Sequence, residues 1–216
     1  MKTMNKADIK SLIEALAKER KLFWSEADFQ FAFAWKIKQT FEDAKISLER
    51  RHKLPKSNKQ AHVDIWVTLD GKVYPIELKY KTRTYKAADY DGEIISTTNQ
   101  SAQDEGRHGY LKDIDRIEQF SQAEGFERGF AIMITNDKNY YEPKPEPSET
   151  VDRDFAIHEG TVVKGNHTMV WHSSESWVKK YGSITLQRDY PMHWEHFSDS
   201  EDGKGDFKYV VTEITK

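Results

Sequence analysis

The stretch HVDIWVTLDGKVYPIELKY, residues 62–80, decides the fold. Asp70-Gly71 stands between two runs of β-forming residues, and a two-residue turn needs central residues that tolerate positive φ. A turn there sets the register: Leu69 faces Lys72, Thr68 faces Val73, Trp66 faces Pro75 and Asp64 faces Glu77. Pairs alternate between hydrogen-bonded and non-hydrogen-bonded, so 64 and 77 fall on the closer kind, with Cα atoms about 4.5 Å apart. Pro75 also falls on a non-hydrogen-bonded pair, where its missing N–H is not needed. Period-two alternation puts Lys79 on the face of Glu77, and Val63, Ile65, Val67, Ile76 and Leu78 on the opposite, buried face.

Two opposed carboxylates repel and destabilise a sheet unless something offsets them. One acid can be protonated, Lys79 can neutralise part of the charge, or a cation can bridge the pair. Asp64 and Glu77 with the Leu78 carbonyl make an oxygen-only donor set suited to Mg²⁺. Such an ion activates water and polarises a phosphoryl oxygen, with Lys79 as a compact charge beside it. The plainer alternative is a surface hairpin whose Glu77 and Lys79 face solvent. The flanking apolar residues argue for an interior sheet, where charges need a purpose.

Upstream, Ile9, Leu12, Ile13 and Leu16 predict a helix over about 6–18, with Asn5 and Asp8 as a capping box. A second helix begins at the Ser25 cap, with Phe29, Phe33, Ile37 and Phe41 on one face. Phe31, Ala34 and Trp35 make other sides apolar too and predict a deeply packed helix. A short strand is expected near 46–50. Residues 85–109 read as a long loop, and 110–120 as a helix on Tyr110, Leu111, Ile114, Ile117 and Phe120. Phe130–Thr135 reads as a buried strand, and the Pro143, Pro145 and Pro147 segment as loop. Short strands are expected at 155–157, 168–171 and 183–186, and 207–214 reads as strand or helix.

The residues Asp64 and Glu77-Leu78-Lys79 resemble the PD-(D/E)XK, or restriction-endonuclease-like, nuclease superfamily. Val63 stands where the name-giving proline would be. The resemblance implies an α/β fold with a three-layer core, a central mixed sheet flanked by helices and both motif halves on an antiparallel hairpin. It implies one domain over 1–216, with the core at about 20–140 and a strand-rich extension at about 150–216. It also implies Mg²⁺ (or Mn²⁺ in its place) held by Asp64, Glu77 and Leu78, with Lys79 catalytic. Many members place a glutamate on the helix before the sheet to complete the site: Glu26, one residue past the Ser25 cap, is the candidate, and Glu49, in the preceding strand, is its rival. Gln30, Lys81 and Arg83 are the candidate nucleic-acid contacts, DNA the expected partner, and a homodimer is compatible. Tyr110–Glu118, Gly129–Tyr140, His158–Gly160 and Tyr190–Trp194 are similar to a group of uncharacterised bacterial proteins that brings no established substrate. Arg116 is read as a phosphate contact or, preferably, a partner of Asp113 within the helix.

Composition bounds the rest. The 216 residues are 37% hydrophobic and 32% charged with net charge −3 and no cysteine, which excludes disulfides and thiolate metal sites. Basic runs at Arg50, Arg51, Lys53, Lys56 and Lys59 and at Lys79, Lys81, Arg83 and Lys86 flank the hairpin, in keeping with a phosphate-binding rim. No apolar run is long enough to cross a bilayer and no signal peptide follows Met1-Lys2, so a cytoplasmic location is expected. His158, His167, His172, His193 and His196 lack zinc-site spacing. A nuclease-like module that binds nucleic acid or protein without catalysis stays open as the alternative function.

Overall fold

The computed structural model describes residues 3–54, 60–88, 91–144, 149–200 and 206–216. In chain order the elements are α1 (Lys6–Glu19), α2 (Glu26–Thr40), β1 (Lys45–Lys53), β2 (Gln60–Leu69), β3 (Lys72–Lys81), β4 (Tyr85–Ala88), β5 (Ile94–Thr97), α3 (Gln103–Phe120), β6 (Arg128–Thr135) and α4 (Lys138–Tyr141). A 3₁₀ turn at Arg153–Phe155 then precedes β7 (Val162–Val163), β8 (Thr168–Met169), α5 (Glu175–Tyr181), β9 (Ile184–Thr185), β10 (Tyr190–Pro191), β11 (Trp194–Ser198) and β12 (Phe207–Thr215). The chain is a mixed α/β protein. Its central sheet has six strands in the order β1-β2-β3-β6-β12-β11, and only β3 and β6 run parallel.

The quoted hairpin has the register its turn demands. Leu69 pairs with Lys72, Thr68 with Val73 and Trp66 with Pro75. Asp70 and Gly71 take φ of 50° and 77°, the left-handed values a primed turn needs. The expected caps also form: Asn5 and Asp8 close a capping box on α1, and the Ser25 side chain accepts the Asp28 N–H.

Strands β3 and β6 are buried on both faces because helices cover both. Ile65, Val67, Ile76, Leu78, Ile132 and Ile134 pack under α1 and α2. Ala131 and Met133 pack under α3, whose Tyr110, Leu111, Ile114 and Ile117 face the sheet. Val63 departs from its expected face, joining the α3 layer while Ile65 stays in the other. The irregularity lies between them. Glu49 adopts φ 51° in the adjacent strand, and the β1–β2 ladder pairs Leu48 with Ile65 and Arg50 with Val63 but not Glu49 with Asp64. The left-handed Glu49 of β1 thus lies opposite Asp64, the residue across which β2 changes face.

Four further expectations are corrected. The 85–109 segment is not a loop throughout: it forms the β4–β5 hairpin, and α3 begins at Gln103 rather than Tyr110. Glycines at 106 and 109 weakened the helical signal, yet Gly106 is there for contact, since a Cβ would lie 2.2 Å from the Tyr140 hydroxyl. Phe155–Ile157 is not a strand; the 3₁₀ turn ends at Phe155. Finally, α2 is not packed all round: Phe31 and Trp35 are 61% and 57% exposed. The region 207–214 is strand β12, paired along β6. Lys56, Lys59, Pro145 and Pro147, and the reading at Met1-Lys2, lie outside the described residues.

The C-terminal segment docks on α3 through satisfied buried polar groups. Glu118 accepts the Gln187 N–H at 2.9 Å and the Tyr190 hydroxyl at 2.8 Å, while Arg107 donates to Asp152. His108 sits 2% exposed against Phe155 and Trp171, with Nε2 3.3 Å from the Gly182 carbonyl. Burial drives its pKa down to about 4 from 6.5. The unfolded chain therefore takes up this proton first, and the imidazole's contribution to stability is lost as pH falls from about 6.5 to about 4. Urea midpoints measured at pH 7 and pH 5 are expected to differ less for His108→Phe than for the wild type; equal slopes would show that burial does not hold this ring neutral.

Candidate metal-assisted hydrolytic site

The site grows from the place where β2 parts from β3. Their ladder stops at Ile65–Ile76, so the expected Asp64–Glu77 pair is not part of it. By alternation, the N–H groups of Leu78 and Tyr80 point toward the vacated edge. Two carboxylates take the place of the strand there. Asp64 Oδ2 accepts the Leu78 N–H at 2.6 Å, and Glu26 Oε2 accepts the Tyr80 N–H at 2.8 Å. The freed Asp64 carbonyl accepts from Gln30 Nε2 at 2.7 Å, and the same amide donates to Glu49 Oε1 at 2.8 Å. Gln30 thus props open the irregularity with both of its protons.

Glu77 and Lys79 lie on the α3 face, beside Ala131 and Met133 in register. Two residues of α3 meet them. Arg116 lies 2.7 Å from Glu77 Oε1 and 3.3 Å from Asp113, and Lys79 Nζ lies 2.7 Å from Asp113 Oδ2. Lys79 Nζ also donates to the Leu78 carbonyl at 3.2 Å. Arg116 therefore pairs within its helix as expected, but more closely with Glu77. Glu77 Oε1 and Asp113 Oδ2 are buried and lack a well-directed hydrogen bond despite these ion pairs.

Burial raises the Asp64 pKa to about 6, while the Leu78 N–H and Lys79 hold it from rising further. Burial, then the charges of Asp113 and Asp64, raises Glu77 well above the usual range against the pull of Arg116. For Lys79 burial favours the neutral amine, but Asp113, Glu26 and Asp64 outweigh it and raise the pKa. Four carboxylates (Glu26, Asp64, Glu77 and Asp113) face two cations, Lys79 and Arg116, leaving a surplus of two negative charges when all are ionised. Oxygen ligands with that surplus fit a hard divalent cation in chemistry. Among the described residues no three acidic or histidine side chains already converge as a cage, and Arg116 occupies the Glu77 carboxylate. Cation binding there requires Arg116 to yield.

Of the other expected residues, Glu49 touches Gln30 rather than the β3 edge. Lys81 ends β3 half-buried, and Arg83 is held by Asp137 at 3.1 Å, with its own N–H donated to Asn136. His172, His193 and His196 each pair with a single local acid, Asp154, Glu159 and Asp199. Asp113 is the residue the sequence reading passed over as a site member. Its signal was present: position 113 falls three after Tyr110 and four before Ile117, a charge on an apolar stripe. None of the described helices is long and apolar enough to cross a membrane. Comparison with known proteins gave no matching family model and no significant match among curated proteins or solved structures.

Proposed function

We propose that this protein is a metal-dependent phosphodiesterase acting on nucleic acid, DNA foremost, built on a restriction-endonuclease-like core. One observation carries the reading: Asp64 and Glu26 occupy the edge of β3 that β2 vacates, and Lys79, beside Glu77 on the α3 face, reaches the Leu78 carbonyl at that edge. Asp64, Glu77 and the Leu78 carbonyl would hold Mg²⁺, or Mn²⁺ in its place. When bound, the ion supplies an acidified water and polarises a phosphoryl oxygen. The chain's own residues do the positioning. Lys79, fixed by Asp113 at 2.7 Å, presents an ammonium to the charge that develops on the phosphate. Glu26 keeps the β3 edge free of another strand, and Lys81, half-buried at the end of β3, flanks it as a nucleic-acid contact. Gln30, by contrast, is buried with both amide protons engaged and serves to position the edge.

A second reading, a nuclease-like fold that binds without catalysis, is favoured by one feature. Arg116 and Lys79 already give Glu77 and Asp113 internal partners, so the centre is also a self-contained ion-pair network. Calorimetric titration with Mn²⁺ separates the two, using Asp64→Asn, which keeps an oxygen to accept the Leu78 N–H. Mn²⁺ uptake that Asp64→Asn abolishes, together with cleavage of single- or double-stranded substrate, is expected. Uptake indifferent to this substitution, with no cleavage of DNA or RNA, would leave only the binding module.

A further inference from the structure

The exposure of Phe31 and Trp35 has no explanation in the fold. Their rings are stacked, 14° from parallel with centroids 6.5 Å apart, so an exposed, ordered aromatic pair meets solvent. Between α2 and the edge strand β1 the rings border a shallow groove shared with Ala34, Lys38, Lys45 and Leu48.

Charge decides what fits there. Strand β1 is an edge of the sheet and exposes Lys45, Arg51 and Lys53, for which no described acidic side chain forms an ion pair. A second copy pairing on this edge would set like charges against each other. A polyanion meets no such repulsion, and one carrying a flat ring per unit satisfies the aromatic pair as well. In a duplex those rings are already stacked on one another. Unpaired bases are free.

The groove also adjoins the candidate centre. Phe31 follows Gln30, which holds the Asp64 carbonyl, and Leu48 precedes Glu49, which holds the Gln30 amide. We propose that Phe31 and Trp35, with Lys38 and Lys45 beside them, form a stacking platform for the unpaired bases of a nucleic-acid strand that leads to the Asp64–Glu77 edge. The choice of nucleic acid as ligand rests on the proposed function; the platform itself rests on the exposed rings and the charge beside them.

The test is fluorescence anisotropy with a labelled oligothymidylate, free or annealed to its complement, in chelator so that no strand is cut. The single strand is expected to bind at least about 10-fold tighter than the duplex, with quenching of tryptophan fluorescence. The Phe31→Ala, Trp35→Ala double variant is expected to lose about 10-fold or more of that affinity, with thermal midpoint unchanged because both side chains are exposed. Equal binding by the variant, or preference for the duplex, would overturn the platform. So would a wild-type dimer in sedimentation that the double variant converts to monomer, since the rings would then serve self-association. Platform-dependent binding in a protein that cleaves nothing upholds the platform and defeats the catalytic reading. Cleavage with ring-independent binding does the reverse.

Discussion

Lys79→Gln is expected to slow phosphodiester cleavage by about 10²–10³-fold or more while leaving the chain folded. Among the described residues this ammonium is the cation beside Asp64 that also touches the Leu78 carbonyl, so it faces the point where phosphate charge would develop. Glutamine is the informative replacement because Asp113, 3% exposed at its side chain, depends on Lys79 as its close partner. Alanine would strip that partner and leave a buried carboxylate facing Arg116 at 3.3 Å, so lost activity could reflect lost packing. The amide, one atom shorter, keeps a polar donor beside Asp113 while removing the charge. Single-turnover cleavage with Mg²⁺, set beside urea denaturation of the same sample, reads the two effects apart. Cleavage within a few-fold of wild type would remove Lys79 from the machinery.

Arg116→Leu is expected to cost about 2–4 kcal/mol of folding free energy, somewhat less than removing one partner from a fully buried pair because the guanidinium is 28% exposed. The substitution leaves Glu77, 1% exposed at its side chain, without a counter-charge and takes one of two cations from Asp113. For a chain of this size the thermal midpoint falls by roughly 4–16 °C. Adding Glu77→Leu is expected to recover much of the loss, since an apolar pair of similar volume carries no desolvation penalty while Asp113 keeps Lys79. A double-mutant cycle in urea measures the coupling. Additive losses would mean that the 2.7 Å approach of Arg116 to Glu77 is of little energetic consequence.

Both predictions depend on residues of α3, and that is where the sequence stopped being legible. The hairpin from Ile65 to Ile76 was legible because its information is local, whereas its open end at Asp64 and Val63 was not. Asp70-Gly71 specifies the turn, and a turn of fixed length specifies register and the shared face of Glu77 and Lys79. The caps at Asn5 and Ser25 were legible for the same reason, since a side chain reaches backbone two or three residues away. That Glu26 accepts the Tyr80 N–H while Glu49 accepts from Gln30 came only from the fold, although the helix start at Ser25 was readable. Residues 103–109 were lost because glycine lowers helix propensity whether it loosens a helix or lets it approach Tyr140.

The sequence by itself determined which acids and which lysine share one hairpin, because turn geometry and strand periodicity act within a few residues. Only the tertiary structure decided which charges answer them, where β2 leaves β3, and that Phe31 and Trp35 face outward. Those outcomes turn on contacts between segments as distant as Glu77 and Arg116 or Gln30 and Asp64. Such contacts are selected by the packing of whole layers, and no local pattern along the chain encodes them.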